Sequence, residues 1–423
     1  MSRNNNSLNS MNRVVNRKSI SRRLLALAAA AVLAAGGWAG ANLHAATTQT
    51  WAPGGVDASG NWDTTTNNWN PGQTTWTNTN VAAFGLGGSS SETVTIDTTG
   101  IAASGLTFNA MGSGASYTIA ATGADALTLA NSSGVNIIMN ASATISAPVT
   151  FNNSVTLSGS GALTLSGDTS FVGTDSVQIG NGSTSSVPTL IVFGGGGTGN
   201  PSQIIFDSGT FKFANTGMGF NQPVISTDNG SAVTNTFDAG GAGLSQDIQS
   251  TITQSGADTF VLRDGTIYLT ANNSTTFTKG TLQIGNGSLA TNVLFGYQQV
   301  SGSTNENLPA TGVGITLDGA SLTQASTTGP NNETLDSVSF PITNSITLLG
   351  SGDAINAGTN SAVSPLTISG NLSGSAPLAI NNDGSTENVI LSGNNTGFSG
   401  VAVHGPDGRS EGVGRPARWL LTV

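Results

Sequence analysis

Residues Gly265 to Ser288 read G-T-I-Y-L-T-A-N-N-S-T-T-F-T-K-G-T-L-Q-I-G-N-G-S, and an echo of this text stands on either side. Upstream, Gly161 to Ser183 reads G-A-L-T-L-S-G-D-T-S-F-V-G-T-D-S-V-Q-I-G-N-G-S. Downstream, Asn388 to Gly400 reads N-V-I-L-S-G-N-N-T-G-F-S-G. Each copy alternates apolar and polar residues and then breaks at Gly, Asn, Asp or Ser. Side chains of a strand point alternately to opposite faces, so this is a strand with one buried face followed by a turn. A unit so short buries too little to stand alone, and stacking on neighbours of the same kind is what closes a core. The register predicts that Leu163, Leu165, Val177, Ile179, Ile267, Leu269, Leu282 and Ile284 face inward.

Outward from these copies the pattern continues. After Glu92 come T-V-T-I-D, G-L-T-F-N, S-Y-T-I-A, A-L-T-L-A, N-I-I-M-N and A-T-I-S-A-P-V-T-F, spaced by small turn residues. Such spacing fits a β-solenoid or a series of β-sandwiches. Some 300 residues without a linker or a change of composition favour the solenoid, since sandwich domains should show boundaries. The expected fold is therefore all-β, a single right-handed parallel β-helix over residues 92–400, with tandem β-sandwiches as the alternative. At roughly 20 to 25 residues per coil it would make about 12 to 15 coils, or roughly 60 to 75 Å of stacked strands.

Of 423 residues, 58 are Gly, 8 % are charged and none is Cys. Six of the twelve basic residues precede Leu24 and three follow Gly400. Between Ala46 and Gly400 there are 20 carboxylates against Lys212, Arg263 and Lys279, a net charge of −17. Such a body repels nucleic acid and anionic lipid, because phosphate binding rests on Lys and Arg. The basic start, the apolar run from Leu24 to Ala35 and the small residues up to Ala45 form an export signal over residues 1–45, with cleavage expected between Ala45 and Ala46. The apolar run is too short for a membrane span, which needs about 20 residues. Ser21-Arg22-Arg23-Leu24-Leu25 also loosely matches a twin-arginine signal. The mature chain is expected outside the cell or at its surface, without a membrane span.

Residues 46–91 differ in texture: Trp51, Trp62, Trp69 and Trp76 stand among Asn, Thr, Gly and Pro. One reading is a sugar-binding platform in which Trp62, Trp69 and Trp76 stack on pyranose rings. The other, preferred here, is a cap that closes the apolar end of the solenoid. Residues 401–423 hold three Arg, two Pro and little alternation. They read as an atypical tail, frame-shifted or truncated, because the third copy stops at Gly400 where the others run into Q-I-G-N-G-S. An uncapped final coil predicts end-to-end self-association.

Catalytic options are few. His44 and His404 lie outside the body, which excludes Ser-His-Asp, Cys-His and N- or S-ligated zinc chemistry there. Asp97, Asp168, Asp207, Asp264, Asp318 and Asp383 read as single turn acids, and no G-G-x-G-x-D calcium repeat occurs. Gly194, Gly196 and Gly199 match G-x-G-x-x-G but precede Asn200-Pro201 and another strand, so they are read as a loop. No catalytic residue, cofactor or metal site is expected.

The segments from Leu391, from Leu165 and from Lys279 (L-S-G-N-N-T-G-F-S-G, L-S-G-D-T-S-F-V-G and K-G-T-L-Q-I-G) resemble the autotransporter-associated β-strand repeat, also called the passenger-associated transport repeat. The opening W-D-T-T-T-N-N-W, with Trp76 and V-A-A-F-G from Val81, is similar to the start of large secreted proteins that carry it. The resemblance implies an exported or surface-displayed β-helical passenger, a structural or adhesive element whose partners would be extracellular polysaccharide or neighbouring surface proteins. The weighed alternatives are a carbohydrate-binding module on the Trp cluster and a β-helical polysaccharide-degrading enzyme.

Overall fold

The computed structural model describes residues 46–173, 175–192, 200–215, 218–227, 230–287, 290–295, 307–324, 341–357, 366–381 and 388–404. The export signal, Ala45, the loop of Gly194, Gly196 and Gly199, Asp383 and residues 405–423 lie outside them. From Thr48 onward the described chain folds as one compact unit. It is a parallel β-helix with three faces.

From Val81 to Gly180 the strands visit the faces in rotation. Val81–Phe84, Glu92–Ile96 and Ile101–Ala103 lie on the first, second and third faces, and Gly105–Phe108 returns to the first. The second face is one continuous sheet of 14 strands, from Gly60–Trp62 to Gly397–Phe398. At about 4.8 Å per strand this sheet spans about 60 Å. The first face is a 10-stranded sheet that ends at Ile252–Gln254. It is carried on by the bridges Gln254 to Phe277 and Ile342 to Ile368, and then by Leu366–Ile368 with Val389–Leu391. The third face is a 4-stranded sheet up to Thr169–Phe171 and an 8-stranded sheet from Met218–Phe220. Consecutive strands thus stack on different sheets and pair with the next coil, which a tandem sandwich would not do.

Coil length varies more than the sequence suggests. Leu165 pairs with Ile145 on the coil before it, and Leu317 pairs with Ile284, so the second of these coils is more than half as long again as the first. Extra length is absorbed in loops at the corners, because each face fixes only the few residues that enter its ladder. All eight predicted inward positions are buried, Leu269 at 1 % exposure and Ile284 at 0 %. They belong to a single apolar core that runs from Trp51 to Leu391.

The three copies of the repeat are laid on the helix in three different phases. The first copy places Ala162–Leu165 on the second face, Thr169–Phe171 on the third and Ser176–Gly180 on the first. The second copy starts on the third face with Gly265–Leu269, passes Phe277 on the first and ends with Thr281–Gly285 on the second. The third starts on the first face with Val389–Leu391, continues with Gly397–Phe398 on the second, and ends with Ala402–His404 on the third. That last strand pairs with Leu378–Ile380. The third copy therefore does not stop at Gly400: it has its closing strand, and the tail boundary placed at residue 401 moves beyond His404. The strand is short and carries Val-His in place of Gln-Ile, so its alternation was hard to read.

The Q-I-G-N-G turn has the same construction on both faces. Gln178 Nε2 donates to the Gly180 carbonyl at 3.2 Å, and Gln283 Nε2 to the Gly285 carbonyl at 3.1 Å. Gly182 N–H bonds the Asp207 carbonyl at 2.9 Å, and Gly287 N–H the Asp318 carbonyl at 2.8 Å. Gly180 and Gly285 have φ of 97° and 84°, where L side chains are strained, and a Cβ on either would collide with the carbonyl oxygen of Asp207 or Asp318 on the next coil.

Two stability changes follow. Leu269→Ala empties a buried site and is expected to cost about 2 to 5 kcal/mol in chemical denaturation. Gly285→Ala adds left-handed strain to a backbone collision and is expected to cost at least about 2 kcal/mol; unchanged stability would mean that the turn is not held against the next coil.

Candidate functional site

Two places concentrate polar chemistry among the described residues: the Trp-rich opening and a cluster of charges on the second face.

The opening is woven into the helix rather than set before it. Thr48–Trp51 pairs parallel with Val81–Phe84, and Gly60–Trp62 pairs parallel with the strand containing Val94 to Ile96. Antiparallel pairing among the described residues is confined to this segment, where Trp51 faces Trp69 and Trp69 bridges Thr74. Trp62, Trp69 and Trp76 are exposed by 0 %, 0 % and 3 %. Their rings contact one another and Phe84 at centroid distances of 4.5 to 5.8 Å. The less favoured reading, in which Trp62, Trp69 and Trp76 stack on a sugar, does not fit this burial, because their faces are already covered by each other. Aromatic pairs at such angles gain beyond area burial. Trp51 Nε1 donates to the Ala58 carbonyl at 2.8 Å, and Trp76 Nε1 to Asn78 Oδ1 at 2.9 Å. The indole N–H groups of Trp62 and Trp69 are buried without a hydrogen-bond acceptor.

Acids around this cluster are spent on the backbone. Asp57 accepts from Leu86 N–H at 2.9 Å, Gly88 N–H at 2.7 Å and Tyr117 O–H at 2.6 Å, tying three coils together. Burial and the neighbouring Asp57 carboxylate push the Tyr117 phenol well above its ordinary value. Asp63 closes an Asx turn, accepting from the N–H groups and hydroxyls of Thr65 and Thr66. Partial desolvation acts to raise its pKa, but these hydrogen bonds together outweigh it and hold the carboxyl below its ordinary value of 3.8.

The charge cluster joins three coils. Lys212 pairs in register with Asp238, and Asp238 with Arg263, so the side chains form one outward column of alternating sign. Arg263 Nη2 lies 3.1 Å and its Nε 3.2 Å from Asp238 Oδ2, with Lys212 Nζ at 3.7 Å from the same oxygen. Asp238 Oδ1 accepts from Gly240 N–H at 2.8 Å. Asp264, next along the chain, has φ of 62° and sits 3.4 Å from Arg263 Nε. Desolvation and the Asp238 charge raise its pKa, against the pull of Arg263. Its Oδ1 is buried without a hydrogen-bond partner. Asp264 was expected as a single turn acid; it is a turn residue, but one whose carboxyl shares Arg263 with that of Asp238. Lys212, Asp238 and Arg263 stand on successive coils, and only the coil register brings them together.

Among the described residues, no group of three or more His, Asp or Glu is placed to hold a metal ion, and no helix is long and apolar enough to cross a membrane. Compared with known proteins, the chain matches no family model, no curated protein and no solved structure.

The Asp63 turn gives a pH prediction. A carboxyl whose folded pKa is depressed contributes stability above its unfolded value and loses it as pH falls through the folded value. The gap in melting temperature between the wild type and Asp63→Ala should therefore be largest near neutrality and close as pH drops below 3.8. A gap independent of pH would show that the Thr65 and Thr66 bonds do not favour the ionised form.

Proposed function

We propose that the chain is an exported, non-catalytic β-solenoid passenger that acts as a structural or adhesive element at the cell surface. The observation that carries this reading is the outward face of the stacked sheets. Thr93, Thr118, Thr144 and Thr164 stand one above another on successive strands of the second face, and Thr128 and Thr150 on the third. Between Asp97 and Asp168 the only charged residue is Asp125. This is a long, repeating, nearly uncharged surface of hydroxyl and methyl groups, suited to a neutral polymer whose own hydroxyls repeat. By contrast, several acids are used within the fold: Asp57 and Asp63 as above, the buried Asp258 by Ser226 and Val233, and the buried Asp353 by Gly319, Ala320 and Gly350. Acids so engaged do not form the open pair of carboxyls that glycoside hydrolysis uses.

The resemblance to the autotransporter-associated repeat and the signal-like residues 1–45 support export. A carbohydrate-binding role is the second reading, carried by the Thr columns rather than by the buried Trp rings. Incubating the purified chain with insoluble neutral polysaccharides tests both. The expected result is retention without sugar release, at least tenfold weaker when Thr118, Thr144 and Thr164 are replaced by Glu. Sugar release abolished by a single Asp→Asn change would refute the non-catalytic reading.

A further inference from the structure

The charge cluster holds the reactants of a covalent bond. Lys212 Nζ stands 3.7 Å from Asp238 Oδ2, on adjacent strands in direct register. Asp238 is 1 % exposed, and its Oδ1 is fixed by the Gly240 N–H at 2.8 Å. The carboxyls of Asp264 and Asp238 share the Arg263 Nε, at 3.4 and 3.2 Å, and Asp264 is itself 6 % exposed with an oxygen that no protein group satisfies. An unsatisfied buried carboxyl oxygen is costly in a purely structural ion pair. It is accounted for if that carboxyl carries and passes a proton.

We propose that Lys212 and Asp238 are joined by an amide bond formed within the folded chain, a covalent tie between two neighbouring coils. Nζ attacks Cγ of Asp238, and the Cγ–Nζ bond forms as the bond from Cγ to Oδ2 breaks. Oδ1 remains as the amide oxygen, held by Gly240. Oδ2 leaves as water with two protons that come from the ammonium. Asp264 relays them, giving its own proton to Oδ2 and taking one from Nζ, so that it ends as it began. Ammonium and carboxylate thus become amide and water, with nothing oxidised or reduced and no outside reactant. Arg263, at 3.1 Å from Oδ2, draws charge from the carboxylate and makes Cγ a better target. After water leaves, it keeps Asp264 as its partner at 3.4 Å. Groups fixed in contact react with effective molarities of roughly 10⁵ to 10⁸ M when well oriented. Burial and the Asp238 charge raise the pKa of Asp264, the direction that favours its acid form.

The tie is read by peptide mapping of the full chain, denatured and cut with chymotrypsin after its aromatic residues. Cleavage after Phe211, Phe213, Phe237 and Phe260 releases Lys212-Phe213 and the peptide 238–260. The expected product is these two peptides joined, lighter than their sum by one water molecule, with fragment ions that place the link on Lys212 and Asp238. In Lys212→Arg the joined product should vanish, and in Asp264→Asn, where Asn tolerates the left-handed backbone, it should fall at least tenfold. A wild-type digest that yields the two peptides only in free form overturns the proposal. A joined product undiminished in Asp264→Asn overturns the relay assigned to Asp264.

Discussion

Everything in this molecule depends on one constraint: neighbouring coils bond backbone to backbone in register, at a fixed spacing of about 4.8 Å. Each side chain is thereby stacked over its counterpart one coil earlier. Inside, this turns alternation into continuous apolar columns, such as Leu163 under Leu190 and Leu282 under Ile315. Outside, it makes like-charge neighbours unfavourable, because they would sit at contact distance along the whole stack. The chain meets that condition in two ways. Most outward positions carry Thr, Ser or Asn, and where charge enters a column it alternates in sign, as in Lys212, Asp238 and Arg263.

The fold was legible because two local signals agree at nearly every coil, namely alternation for the faces and Gly, Asn or Asp for the corners. Inward positions such as Val177 and Ile267 could be named from that alone, since a one-residue slip would put a whole strand's apolar set in water. The phase of the coil was not legible. All three faces ask for the same pattern, so nothing in Gly161 to Ser183 marks it as starting on the second face rather than the third. The closing strand Ala402–His404 was missed for a related reason, because so short a strand with a His at its end gives too little alternation to register.

The two polar centres were hidden differently. Density of Trp in residues 51–76 is equally suited to a platform and to a core. What separates them is whether the rings have one another as neighbours, and Trp51, Trp62, Trp69, Trp76 and Phe84 do. The charge cluster needed the register itself. Asp264 reads as an ordinary turn acid until the length of the coil that separates it from Asp238 is known. That length is far from constant along the second face, as the partners Ile145 and Leu165 show beside Ile284 and Leu317.

The rotation of the repeat from face to face bears on how such a chain can lengthen. If each copy were bound to one face, only insertions of a whole turn of the helix would keep its interior dry. Because the Q-I-G-N-G corner has the same bonds on the first face at Gly180 and on the second at Gly285, the unit that preserves the structure is a single side of the triangle. Joining one copy to another at that corner keeps apolar residues inward whatever the side on which the copy begins. A gene built this way can change length in thirds of a coil, and the added bulk of uneven coils is displaced to corner loops.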